Sequence, residues 1–313
     1  MERIALLVQK RLGDALFHTP ALRWLRGRFP DARIEVLAPS PLAVEVFANN
    51  PHCDRVVDAS DPSRIEHVRY DVVVGVFRNE LSQAIVEQVT DDARLRERPD
   101  ESVHRARAIL EHVATAFGEA FPEDADLHYD FYPDEADRRQ ARTLLSDEPE
   151  DGWRLGIHVG CHGMAKRNLL LPGRSPHAKV WPWRTYRRLI RRLHARWPEA
   201  RVVLTGSGSE AHYARRLRGP GVLDLAGQTS VGAVAAVIDQ CDAYLTPDTG
   251  SLHLACTTDT PVLALFGPTD PAVNGPWPGH SRSQVLQSDS VAGIRPEQVL
   301  DVLADSPFRG ARS

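Results

Sequence analysis

The chain has 313 residues, a formal net charge of −4, 42% hydrophobic and 26% charged residues, and four cysteines. At roughly 100–200 residues per domain this length suits two cores, and the acid excess gives no general attraction to DNA or RNA. Cys53, Cys161, Cys241 and Cys256 follow no C-x-x-C spacing, and no run approaches the roughly 20 apolar residues of a membrane span, so a reducing, cytoplasmic setting without zinc or disulfides is expected.

Short β-rich runs alternate with helical segments in the first half: strands at 4–8, 33–37 and 72–76, helices at 15–29, 42–48 and 82–89. Such alternation dictates βαβ units and a parallel sheet. Residues 121–133 are acidic and contain prolines, 133–145 carry a helical pattern, and 147–152 are acidic with Pro149 and Gly152, so a linker is expected within 130–152. The second half resumes the rhythm, with strands at 155–159, 202–205, 222–225, 243–245 and 262–266 and helices at 183–197, 210–218, 231–240 and 251–257. This predicts an α/β protein of two Rossmann-like domains, 1–150 and 151–313. Helix 183–197 sets Arg184, Arg187, Arg188, Arg191, Arg192 and Arg196 around an apolar stripe of Tyr186, Leu189, Ile190, Leu193 and Trp197. A charge run of this kind is ordinarily a solvated face; peripheral contact with an anionic membrane surface is the alternative.

In open α/β sheets ligands gather beyond the carboxyl ends of the strands, so the turns that follow strands are the candidate chemical positions. The first reads Gln9-Lys10-Arg11-Leu12-Gly13-Asp14, where Asp14 is either the cap of the next helix or a reacting carboxylate. His18 follows one helical turn later and is a candidate for substrate contact. After strand 155–159 come Cys161, which has no base assigned by spacing and reads as a small buried thiol, and His162, Lys166 and Arg167, which are candidates for phosphate contact. Lys179 precedes Val180-Trp181-Pro182 and is either a solubilising charge or a cation facing a ligand.

The turn Thr205-Gly206-Ser207-Gly208-Ser209-Glu210 lacks the onward glycine spacing of a dinucleotide fingerprint, so NAD is not expected; Glu210 stands where a helix dipole favours an acid. The most informative stretch is Thr246-Pro247-Asp248-Thr249-Gly250-Ser251-Leu252-His253-Leu254-Ala255. It reads as a strand, a tight turn and a helix N-terminus, whose free N–H groups bind anions while Gly250 lets a phosphate approach the backbone. Asp248 and Thr249 are also ordinary helix caps, and His253 either donates to phosphate or satisfies a buried contact.

The pattern D-T-G-x-x-H-x-A, followed by Gly267-Pro268-Thr269-Asp270-Pro271, resembles the donor-site signature of the family 9 glycosyltransferases, the ADP-heptose:lipopolysaccharide heptosyltransferases. Gly13, Asp14, Pro20 and Leu22 match that family's G-D-x-x-x-x-x-P-x-L segment, and Lys179, Trp181 and Pro182 match its K-x-W-P element. The resemblance extends over nearly the whole chain. It implies a GT-B fold, two Rossmann-like domains with parallel sheets facing across a cleft, the N-terminal one binding the acceptor and the C-terminal one the nucleotide sugar. It also implies an inverting transfer of heptose from ADP-heptose to a hydroxyl of a lipopolysaccharide-core glycan or glycolipid, with no cofactor and no metal.

By the same resemblance Asp14 is the general base, with Gly13 and His18 beside it, and Lys179 contacts the departing diphosphate. Glu210 holds the nucleotide ribose, and Asp248, Thr249, Gly250 and His253 form the phosphate turn. Other readings stay open at this point: a similar transferase with another nucleotide sugar or a secondary-metabolite acceptor, a nucleotide-sugar 2-epimerase, and a non-catalytic sugar-nucleotide sensor.

Overall fold

A computed structural model of the chain describes residues 2–65, 68–76, 79–96, 100–146, 152–161, 163–164, 177–305 and 307–308. It contains two all-parallel sheets. In the first, β1 (Arg3–Leu7), β2 (Arg33–Ala38), β3 (Arg55–Asp58), β4 (Val72–Val76) and β5 (Ala93–Arg96) lie in the order β3-β2-β1-β4-β5. The central strands β1 and β4 are apolar runs buried on both faces, as helix-covered parallel sheets require. Helices α1 (Leu12–Leu16), α2 (Thr19–Arg28), α3 (Pro41–Phe47), α4 (Glu80–Val89) and α5 (Arg105–Ala116) connect and cover them. The single helix expected at 15–29 is two, broken at Phe17 and His18: Pro20 has no N–H and fits only the first turn of a new helix.

In the second sheet β6 (Arg154–His158), β7 (Arg201–Thr205), β8 (Val222–Asp224), β9 (Ala243–Pro247), β10 (Val262–Phe266) and β11 (Ser283–Gln287) take the order β11-β10-β9-β6-β7-β8. Its helices are α6 (Glu135–Leu145), α7 (Trp183–Arg196), α8 (Ala211–Ala214), α9 (Val231–Ile238), α10 (Gly250–Ala255), α11 (Pro271–Asn274) and α12 (Pro296–Ala304). No helix among the described residues is long and apolar enough to cross a membrane.

The chain divides into two compact units, Met1–Tyr132 with Trp277–Gly279, and Pro133–Pro276 with His280–Ser313. The change from one to the other falls ahead of α6, earlier than a boundary at 150. The reason is packing. Ala141 and Leu145 of α6 share a buried cluster with Val203, Leu225, Ala236 and Val237, and Ser230 Oγ donates to Asp137 Oδ1 at 2.7 Å. Gly232 makes the close approach of α6 to α9 feasible, since a Cβ there would lie 1.8 Å from Asp137 Oδ2.

Candidate active site

In the first unit the turn after β1 enters α1 at Leu12, two residues before Asp14, so Asp14 sits in the first turn of the helix and Arg11 occupies the N-cap without a side-chain cap. Asp14 therefore does not cap the helix. Its carboxylate is half-buried near the positive end of the α1 dipole, where a negative charge is favoured. Gly13 beside it is buried. The junction that follows is held on several sides. His18 Nδ1 donates to the Asp14 carbonyl at 2.9 Å, Thr19 Oγ1 donates to the Leu16 carbonyl at 2.9 Å and accepts from the Asp130 N–H at 3.0 Å, and Phe17 meets His104 and Tyr129 edge-on. His18 is fully buried, and its ring bonds the backbone of Asp14. Burial pushes its pKa down to about 4, so the imidazole is neutral, and its Nε2 has no partner among the described residues.

In the second unit the expected donor positions lie beyond the carboxyl ends of four adjacent strands, β10, β9, β6 and β7. Lys179 and Asp248, 69 residues apart in sequence, are brought together: Lys179 Nζ donates to Asp248 Oδ2 at 2.6 Å. The Thr269 hydroxyl donates to the same oxygen at 2.6 Å. Asp248 is 6% exposed and Lys179 29%.

Lys179 arrives there on a clamped segment. The Ala178 carbonyl accepts from the Val291 N–H at 3.1 Å, and Trp181 is fully buried with its Nε1 donating to the Ile294 carbonyl at 2.9 Å. Gly267 lets this segment come close, because a Cβ there would lie 2.8 Å from the Ala178 oxygen. Thr249 is the N-cap of α10 yet makes no side-chain cap, and the carboxylate of Asp248 is turned to Lys179 and Thr269 instead. Gly250 opens α10 and His253 is buried within it. His162, Lys166 and Arg167 lie outside the described residues.

Glu210 caps a different turn. Its Oε2 accepts from the Ser207 N–H at 2.6 Å, and its carboxylate lies against Gly160, where a Cβ would stand 2.3 Å from Oε1. Next to it runs a buried polar chain that sequence reasoning missed. Thr205 Oγ1 is 2.7 Å from the Tyr244 hydroxyl, which is 2.5 Å from Ser251 Oγ in the first turn of α10. His158, at the end of β6, is 3.5 Å from Thr205 Oγ1 and 4.0 Å from Glu210. Burial lowers the His158 pKa against the opposing pull of the Glu210 carboxylate. Tyr244 reaches across β6 because its partner in register is Gly156, where a Cβ would be 2.5 Å from the ring. A glycine inside the apolar run Leu155-Gly156-Ile157 was the available signal, since glycine in a strand interior marks a close approach.

Comparison with known proteins decides the family. The family model described as glycosyltransferase family 9 (heptosyltransferase) matches residues 89–293, well over half of the chain. The chain belongs to glycosyltransferase family 9. Lipopolysaccharide heptosyltransferase 3 of Escherichia coli is 23% identical to it, over 85% of this chain and 83% of that protein. The glycosyl transferase family 9 structure from Veillonella parvula superposes with a TM-score of 0.79 at 18% identity, covering 97% of this chain and 96% of the other. The structure of the E. coli heptosyltransferase WaaC with ADP gives a TM-score of 0.70 at 18% identity, covering 96% and 99%.

These likenesses establish the GT-B-like α/β fold with two parallel sheets expected from the sequence, and they make the protein a glycosyltransferase of the heptosyltransferase family. The family 9 match includes Lys179, Glu210, Asp248, Thr249, Gly250, His253 and Thr269. It begins downstream of Gly13, Asp14 and His18.

Proposed function

We propose that this family 9 glycosyltransferase is a cytoplasmic enzyme that transfers a heptose, with inversion and without a metal, from ADP-heptose to a hydroxyl of a lipopolysaccharide-core glycan or glycolipid. The observation that carries the reading is the convergence of Lys179 and Thr269 on one carboxylate oxygen of Asp248 beside the start of α10, whose N-cap makes no side-chain bond. Departure of a nucleoside diphosphate builds negative charge on its leaving oxygens. An ammonium and first-turn N–H groups aimed at that charge stabilise it.

Asp248 orients the Lys179 ammonium in the free enzyme, and Thr269 fixes the carboxylate. Glu210, which follows β7, two strands from β9 in the same sheet, holds the ribose of the same nucleotide in this reading. Asp14 takes the proton of the acceptor hydroxyl as that oxygen attacks the anomeric carbon and the bond to the diphosphate breaks. The ADP bound to the related WaaC supports an adenine nucleotide.

The test is calorimetric binding of ADP, UDP and GDP in EDTA to the wild type, Lys179→Ala and Asp248→Ala. Preferential binding of ADP, weakened by both substitutions, is expected. Preference for UDP or GDP overturns the donor, and absence of nucleotide binding overturns the site. Turnover of the nucleotide sugar without any acceptor would favour an epimerase instead.

A further inference from the structure

The outer face of α7 has no part in the chemistry above. One side of this helix is core: Tyr186, Leu189, Ile190 and Leu193 are buried. Two of its six arginines are tied to α12, Arg192 to Glu297 and Arg196 to Asp301, the latter at 3.7 Å. The other four, Arg184, Arg187, Arg188 and Arg191, are exposed and stand at i, i+3, i+4 and i+7, opposite the buried stripe. None of the four forms an ion pair among the described residues, and α7 contains no acidic residue.

They form a straight row about 10 Å long. At its amino end the half-buried Trp183 meets two guanidiniums, Arg184 of the row at 5.3 Å and, in addition, Arg216 at 5.8 Å from the ring centroid. Like charges at i, i+3 and i, i+4 destabilise a helix, so this row gains from an external counter-charge.

A protein of net charge −4 is repelled as a whole by polyanions, and a cationic face on such a body orients it toward an anionic plane. The form of this face decides the partner. A convex row of guanidiniums ending in an amphipathic tryptophan matches the headgroup zone of a bilayer, where basic residues meet phosphates and indole rings sit at the interface. We propose that Arg184, Arg187, Arg188 and Arg191 of α7, with Trp183 and Arg216, form a docking surface for an anionic phospholipid bilayer. The surface stands whichever sugar is transferred.

The test is flotation of the full-length protein with phosphatidylcholine vesicles, with and without phosphatidylglycerol. Binding is expected only to the anionic vesicles and is expected to weaken as salt rises. Combining Arg187→Ser, Arg188→Ser and Arg191→Ser should lower partitioning on the order of 100-fold, about five-fold per arginine. Each single change should lower it in proportion, with nucleotide binding unchanged as the sign of an intact fold. Replacing two exposed arginines of α6, Arg138→Ser with Arg139→Ser, should leave partitioning unaltered. No binding to anionic vesicles, equal losses in the α6 and α7 variants, or binding only to an RNA oligonucleotide that the α7 substitutions abolish would each overturn the proposal.

Discussion

Lys179 Nζ and Asp248 Oδ2 lie 2.6 Å apart, so the ammonium proposed for the diphosphate is already held by a buried carboxylate before any ligand arrives. Preorganisation of this kind lowers the cost of ordering a flexible lysine on binding. Charge-assisted hydrogen bonds contribute about 1.5–3 kcal/mol, so Lys179→Ala should weaken nucleoside diphosphate binding by about 10–100-fold. Thr269→Val removes only the hydroxyl on Asp248 and should cost less than tenfold. Isothermal titration reads both; unchanged binding in Lys179→Ala would remove the lysine from the donor site.

Asp14 is proposed for proton transfer and not for nucleotide affinity. Asp14→Asn should therefore lower kcat by about 10²–10⁴-fold while the affinity for ADP stays at the wild-type value. Steady-state transfer assays and calorimetry separate the two quantities, and a variant that retains full transfer rate contradicts the base assignment.

His18 gives the protein a pH dependence with a definite sign. Its pKa is depressed from 6.5 to about 4 by burial, so between those values the unfolded chain binds a proton that the folded one refuses. The associated stability is fully present above pH 6.5 and falls as the pH drops toward 4, with a total of about 3 kcal/mol. Urea melts across this window should show that loss, and His18→Asn should flatten the slope. An unchanged slope in the variant would mean that another group titrates there.

Gly156 and Tyr244 form a matched pair, the absent Cβ of one making room for the ring of the other. Gly156→Ala should cost about 1–3 kcal/mol through overpacking. Tyr244→Phe should cost a similar amount by withdrawing the hydroxyl that joins Thr205 to Ser251. In a Tyr244→Ala background the penalty for Gly156→Ala should shrink to what the Cys241 sulfur, 3.2 Å from such a Cβ, still imposes, and a double-mutant cycle of denaturation free energies measures the coupling.

The central strands were legible because a parallel strand covered by helices on both faces is a near-continuous apolar run, as in Val72–Val76 and Val262–Phe266. The strands that escaped notice, Arg55–Asp58, Ala93–Arg96 and Ser283–Gln287, are all sheet edges, where one side of the ladder is open and polar residues are tolerated. The strand-turn-helix at Asp248-Thr249-Gly250 was legible for a local reason, an apolar strand followed by a glycine that opens a helix. Its pairing with Lys179 and Thr269 was not, since contacts across 69 and 21 residues leave no periodic trace in the sequence. The burial of His18 was hidden similarly: its surroundings include Asp14, four residues away, but also His112 on α5.

The attachment of α6 to the second sheet sets where relatives can be recombined. A crossover placed near residue 150 would send Ala141 and Leu145 with the wrong parent and leave Leu225, Ala236 and Val237 facing either water or a foreign helix. A junction ahead of Pro133, at the start of the 130–152 window in which the sequence places a linker, keeps that interface within one lineage, so viable chimeras between family members should cluster there and not near residue 150.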